Sequence, residues 1–460
     1  MKDVQVSGQR VLVVGAARSG IAAAHLLARR GARVTLADVK PDLPQAADLA
    51  AAGVEVRLGP HDPALFASAD LIVVSPGVPL RQPALTRARR GRVPIIGEVE
   101  LAWRLLRGRV VAITGTKGKS TTTTLVGRML VAAGLQASVA GNIGDPLAAK
   151  VDASVDDTIH VVEVSSFQLE TTETFRPWIA VLLNLSADHL DRHASLREYA
   201  AAKARVFANQ GPGDWAVVNA DDRPAMRLAS RRARAPKRLF AIDRPLASGT
   251  ALVDGWIVSR VDGAPDVPVL PVSDVQLIGR HLLSDVAAAA TAALLAGASP
   301  DAIRRAVVGF GGLEHALERV AVVRGVQFVN DSKATNVESA RRAIESFTGG
   351  LVPIIGGRFK GGDLRDLRPA LEGRSTTVVA IGEAREAVRQ ALGDLVDVID
   401  AASMAAAVRA AQRAAPPGGT VVLAPACASF DMFRDYAERG RVFKQVVGEL
   451  AREFDGTREP

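Results

Sequence analysis

The sequence predicts an α/β protein of three domains, each built on a mainly parallel sheet. Three observations carry that prediction. Short apolar runs rich in β-branched residues alternate with segments whose apolar residues return at helical spacing. These runs end in turns of Gly, Ser, Asn and Asp, as strands do in open α/β sheets. And 460 residues are too many for one compact core. The expected division is a Rossmann-like domain over residues 1–97, a central domain organised around a glycine-rich loop over 98–312, and a second Rossmann-like domain over 313–460.

Composition excludes several classes. With 48% hydrophobic and 23% charged residues, the chain is not disordered. No apolar run is long enough to span a membrane, so no membrane insertion is expected. The start, MKDVQVSGQRVLVVG, enters a strand directly and carries no signal-peptide pattern. The single cysteine, Cys427, excludes an internal disulfide, and a cytoplasmic monomer is the expectation. The net charge is +8, yet aromatics are only 4% and no basic run interleaves with them, so nucleic acid is not the expected partner. Groups such as Arg231-Arg232 read as solvated helix faces; a basic surface also attracts phosphorylated small substrates.

The first segment opens with the strand Arg10–Gly15, the turn Gly15-Ala16-Ala17-Arg18-Ser19-Gly20, a helix over Ile21–Arg30 and a strand ending at Asp38. That is a dinucleotide-binding layout with an acid closing the second strand. Ala17 replaces the middle glycine and hinders a pyrophosphate, so a variant that binds another nucleotide, or none, is expected over a full NAD site. A third strand ends in the turn Ser75-Pro76-Gly77.

The central segment carries Val110–Thr124, a strand broken by Thr114-Gly115-Thr116-Lys117-Gly118-Lys119-Ser120 and continued as a helix over Thr121–Ala133. Backbone N–H groups of such a turn close around an anion, and the helix start adds partial positive charge. Lys119 can meet terminal phosphates and Ser120 can bind Mg2+, which makes this a P-loop of the ATPase type with an ordinary strand–turn–helix as the alternative. Glu163 ends an apolar strand, where an acid is costly unless paired or bound to a cation. With His189 it could form an Mg2+ site; a hydrogen-bonded loop residue is the plainer reading of His189. Lys203 lies on a helix over Ser195–Ala208, where a lysine is ordinarily solvated. Residues 238–275 read as short strands and turns, and 278–297 as a buried alanine-rich helix. In the last segment four strand ends carry small or polar residues. Lys333, Thr335, Lys360 and Ser429 among them suit an anionic ligand, and Cys427 reads as a packing residue.

With these residues in view, the chain resembles the Mur ligases of peptidoglycan synthesis over essentially its whole length. TGTKGKST (114–121), GNIG (141–144), EVSSFQLE (163–170), DHLDRH (188–193), NDSKATN (330–336) and PACASFD (425–431) carry the resemblance in order. The last two resemble the D-glutamate-adding branch, and no DNPR-type motif of the diaminopimelate- or lysine-adding branch is present. The resemblance implies ATP, two Mg2+ ions, UDP-N-acetylmuramoyl-L-alanine and D-glutamate as ligands, with reaction through an acyl phosphate. It also implies residue roles. Gly115 to Thr121, Asp285, Asp331 and Lys333 would bind ATP; Lys119, Glu163, His189 and Lys203 would be catalytic. Ser120, Glu163, His189 and a carbamylated Lys203 would hold metal. Ser19, Asp38, Ser75, Gly77 and Asn142 would take the UDP-substrate, and Thr335, Lys360, Ser429 and Tyr436 would take D-glutamate. The chain departs from the family pattern at Leu282 and Asp285, where asparagines near the adenine are usual, and at Ala316, where an arginine is usual. Asp285 is expected to accept a hydrogen bond from the adenine amino group. A folylpolyglutamate-type ligase and a non-catalytic nucleotide-sugar sensor remain alternatives. Residues 1–97 speak against the first, and the retained Lys119, Glu163, His189 and Lys203 against the second.

Overall fold

The computed structural model describes residues 5–186, 192–277 and 279–455. Three sheets organise them. The first contains β1 (Arg10–Val14), β2 (Arg33–Asp38), β3 (Glu55–Leu58), β4 (Leu71–Val74) and β5 (Ile95–Gly97), all parallel, in the order β3-β2-β1-β4-β5. The order reverses between β2 and β4 on either side of β1, so the turns after β1 and β4 meet at a switch point, where open α/β sheets bind ligands.

The central sheet comprises β6 (Arg109–Thr114), β7 (Ala137–Gly141), β8 (Ile159–Glu163), β9 (Ile179–Leu182), β10 (Trp215–Asn219), β11 (Lys237–Ala241), β12 (Gly249–Val253), β13 (Trp256–Arg260) and β14 (Val267–Pro271). Its order is β14-β13-β12-β11-β10-β9-β6-β8-β7. The strands run parallel from β7 to β12, and β13 and β14 extend the edge antiparallel, where the sequence reads as short strands and turns. β6 lies between β8 and β9, buried on both faces, which explains its unbroken apolar run.

The third sheet comprises β15 (Glu318–Val323), β16 (Val326–Asn330), β17 (Leu351–Gly356), β18 (Thr377–Ile381), β19 (Asp397–Ala401) and β20 (Thr420–Ala426), in the order β15-β16-β20-β17-β18-β19. Only β15 is antiparallel to its neighbour. β20 runs past Pro425 although proline cannot donate to a ladder. The register with β17 shifts between Ile354 and Gly356, so the ladder is already irregular there.

The chain forms two compact units, residues 1–275 with 283–309, and residues 276–282 with 310–460. The first two sheets share one unit because a continuous apolar core joins them. Leu26 and Leu27 of helix Arg18–Arg29, Leu101 and Ala102 of helix Glu98–Leu105, and Leu147 all belong to it. Both phosphate-type turns enter their helices earlier than the sequence suggests, at Arg18 instead of Ile21 and at Lys119 instead of Thr121. Polar first turns hide helix starts from an apolar-spacing argument. Among the described residues, no helix is long and apolar enough to cross a membrane.

Candidate functional site

The glycine-rich loop joins β6 to helix Lys119–Ala132. Gly118 is the residue before the helix, at φ +84°, a conformation that favours glycine. Asn184, just beyond β9, closes the loop. Its Oδ1 accepts from the N–H of Thr116 (3.0 Å) and Lys117 (2.9 Å), and its Nδ2 donates to Lys117 O at 3.1 Å. Lys119 Nζ donates to the carbonyls of Gly115 (3.1 Å) and Thr116 (2.9 Å). Lys203 Nζ reaches the same Gly115 carbonyl at 2.7 Å and lies 4.7 Å over the Tyr199 ring. Tyr199 in turn donates to Thr116 Oγ1 at 3.1 Å. Lys203 is therefore not the solvated lysine its helix suggests. It is 1% exposed, and two cations converge on one loop carbonyl, a natural place for anionic charge.

Register puts Glu163 beside this loop, since Ile113 of β6 pairs with Glu163 of β8. Glu163 is buried; Oε1 accepts from Asn142 Nδ2 at 2.8 Å, while Oε2 has no hydrogen-bond partner among the described residues. A buried carboxylate oxygen left in that state fits a cation. Among the described residues no cluster of three His, Cys, Asp or Glu side chains could hold a metal. His189 lies outside the described residues. Ser120 is half-buried at the second position of the helix, and Thr121 is buried there.

Asp285, expected among the ATP-binding residues, packs its carboxylate against the phosphate loop. A Cβ added to Gly118 would lie 2.1 Å from Asp285 Oδ1. Asp285 shares a buried helical stretch with Val286, Ala287 and Ala288, which turns the acid inward. Burial pushes its pKa up to about 7, against the lowering effects of the Thr122 hydroxyl and Lys119. Thr122 Oγ1 and Asp285 Oδ2 nonetheless complete no hydrogen bond. Leu282 packs in the core of the second unit with Val337 and Ile344, and Ala316 forms a bridge with Leu313.

At the switch point of the first sheet, Asp38 accepts from the N–H of Ala16 (2.5 Å) and Lys40 (3.0 Å). Burial alone would raise its pKa, but these N–H groups hold it below the usual value. Ser75 Oγ donates to Gly15 O at 2.8 Å. Both side chains thus shape the turn. Ser19 is half-buried and Gly77 exposed on the same rim. Asn142, in the turn after β7, is exposed, and Arg18 spans from the first sheet to Gly144 O at 2.9 Å.

In the second unit, β16, β20 and β17 are neighbours, and the loops at their ends carry Asp331, Lys333, Thr335, Ser429 and Lys360 together. Lys333, Lys360 and Tyr436 are exposed, Thr335 partly so, and Ser429 is buried. Asp331 turns inward, accepting from Leu317 N at 3.2 Å, and burial lifts its pKa to about 7. Cys427 is fully buried with its pKa pushed up to about 12 by burial, which suits a packing residue and not a nucleophile. Sequence reasoning missed Arg439, which is 0% exposed on helix Tyr436–Asp455. It donates to Ser332 Oγ (3.0 Å), Ser332 O (2.9 Å) and Cys427 O (3.1 Å), tying the loops after β16 and β20 together. Asn184 and Tyr199 were missed likewise, because strand order, not spacing, brings them to the loop. A cleft of about 670 Å3 beside Arg109 and Trp178 lies at the opposite end of β6 from the phosphate loop.

These features define an α/β architecture of nucleotide-binding type, and the comparisons give its family. A family model of the Mur ligase middle domain matches residues 113–293, a Mur ligase MurD-like N-terminal domain matches 9–97, and a Mur ligase glutamate ligase domain matches 315–427. The chain belongs to the Mur ligase family. It is 49% identical over 450 residues to the UDP-N-acetylmuramoylalanine–D-glutamate ligase of Acidobacterium capsulatum, covering 96% of this chain and 97% of the relative. It is 43% identical to the enzyme of that name from Koribacter versatilis, over 97% and 99%. Among solved structures, the MurF ligase of Thermotoga maritima in complex with ADP shares the fold at a TM-score of 0.60 and 14% identity, over 98% of this chain and 96% of that one. The match over residues 9–97 covers the segment that speaks against the folylpolyglutamate reading.

Proposed function

We propose that the protein joins D-glutamate to UDP-N-acetylmuramoyl-L-alanine at the expense of ATP, as a cytoplasmic monomer, in a step of peptidoglycan synthesis. The observation that carries this reading is identity of 43–49% along nearly the whole of relatives named for that reaction. The chemistry suits the residues. A carboxylate is a poor electrophile until one oxygen becomes part of a leaving group. Transfer of the γ-phosphoryl group to the alanine carboxylate yields an acyl phosphate and ADP. The D-glutamate amine then attacks the carbonyl carbon and loses a proton, and the tetrahedral intermediate expels phosphate to leave the amide.

Lys119 and the loop from Gly115 to Thr121 are assigned to the phosphates, where the ammonium meets charge that grows during transfer. Mg2+ supplies positive charge to the phosphate oxygens when bound. Ser120 would hold one ion, and Glu163 with His189 a second; the unpartnered Glu163 Oε2 supports this. Lys203 is a cation and becomes an oxygen ligand only as a carbamate. Asp331 and Lys333 are assigned to ATP. Asp285, against the loop, is assigned to ATP as well. Ser19, Asp38, Ser75, Gly77 and Asn142 are assigned to the UDP-substrate. Thr335, Lys360, Ser429 and Tyr436 are assigned to D-glutamate. The domains on this reading meet near residues 97 and 312. Phosphate release from ATP with the nucleotide-sugar should require D-glutamate. Equal release with L-glutamate or with folate would sink the assignment.

A further inference from the structure

One side chain of the central domain holds a turn of the first sheet. Arg192 donates from Nη1 to Gly77 O (3.1 Å) and from Nη2 to Pro76 O (3.0 Å) and Val78 O (2.7 Å). That turn is already tight, with Val78 N bonded to Ser75 O and Ser75 Oγ to Gly15 O. The guanidinium lies 4.7 Å over the Phe167 ring. The buried His193 stacks on the same ring at 5.3 Å and bonds Ser166 Oγ at 3.0 Å. Ser166 and Phe167 belong to the short helix Ser166–Leu169, fixed by a reciprocal cap between Ser165 and Gln168. This helix begins three residues after Glu163, so a rigid path of a few residues joins that acid to the turn at the first sheet.

The chemistry of the contact is specific to arginine. A guanidinium spreads its donors over two nitrogens to reach three carbonyls while its plane lies on an aromatic face. Lysine concentrates its three donors on one nitrogen and cannot do both from the same position.

We propose that Arg192 is a positioning residue. It locks the turn Ser75–Val78 against the central sheet, so that a nucleotide-sugar seated on the first sheet presents its carboxylate at the phosphate loop. The proposal rests on the ligase reading above. Its test can be read without turnover, by titrating UDP-N-acetylmuramoyl-L-alanine into wild type, Arg192→Lys, Arg192→Ala and Phe167→Leu in a calorimeter, with neither ATP nor D-glutamate present. Arg192→Lys should weaken binding about tenfold, the equivalent of one to two hydrogen bonds, and Arg192→Ala should weaken it more. Phe167→Leu should show a smaller loss in the same direction. In steady-state assays KM should rise for the nucleotide-sugar and stay within about twofold for ATP and D-glutamate, the split expected of a positioning role. Unchanged nucleotide-sugar affinity in a folded Arg192→Lys variant overturns the proposal, as does a parallel rise in all three KM values. Arg192→Lys carries the test if Arg192→Ala does not fold. Wild type that binds the nucleotide-sugar but never ligates D-glutamate would sink the ligase reading alone; wild type that does not bind it overturns the proposal.

Discussion

The turns after β1 and after β6 have the same parts, a buried strand, a glycine turn and a helix, yet they are built for different ends. After β1 the N–H of Ala16 is already taken by Asp38, Ser75 closes onto Gly15, and Ala17 fills the turn. After β6 the groups that pack on the loop are Asn184, Lys203 and Asp285, and Lys119 is aimed at the loop's own carbonyls. In the first turn an acid from the neighbouring strand spends an N–H group; in the second, two cations sit where an anion would. The difference lies in the neighbours, since the strand–turn–helix itself is shared.

The largest expected effect is on Lys119. Lys119→Ala should lower kcat by about a hundredfold or more, as loss of a transition-state donor does. Activity within a few-fold of wild type would erase the distinction between the two turns.

Next comes a matched pair of glycines. A Cβ at Gly20 would fall 1.8 Å from Gly15 O, a backbone atom that cannot step aside, whereas at Gly118 it meets the Asp285 side chain. Gly20→Ala should cost about 1–3 kcal/mol of stability through overpacking, with little change in the KM for ATP. Gly118→Ala, strained also by its positive φ, should raise the KM for ATP far more than it lowers Tm. If both variants lose only stability, the two turns differ less than the structure implies.

Asp285 sharpens the comparison with pH. Its pKa, raised to about 7 from 3.8, leaves it neutral in mild acid and charged beside Lys119 above neutrality. The KM for ATP should therefore rise several-fold as pH climbs through 7, and Asp285→Asn should remove that rise while matching wild type near pH 5.5. Identical profiles would show that the acid does not act on the loop.

The smallest effect concerns the seam between the first two sheets. Glu98 is buried, accepts from Ala148 N at 2.6 Å, and has a pKa raised from 4.5 to about 7 chiefly by burial. A raised carboxylate pKa favours the folded state below the unfolded value, and that stability is lost as pH rises through 7. Glu98→Gln should flatten the fall in Tm between pH 5 and 8. An equally steep fall in the variant would place the titrating group elsewhere, Asp331 being one candidate at about 7.

Local chemistry was legible in the chain itself. The order of strands and turns, the phosphate loop and the acid at the end of β8 follow from apolar runs and from residues such as Gly118, Lys119 and Glu163, because backbone geometry and side-chain charge are properties of short segments. What tertiary structure decided is which distant residues share a neighbourhood. Strand order put β9 beside β6, so Asn184 closes a loop that lies 67 residues away in sequence. Helix packing turned Lys203 from a surface lysine into a buried donor to Gly115 and set the Asp285 carboxylate against the loop. A helical residue's orientation is fixed by what its helix packs against, and spacing along one chain carries no record of that partner.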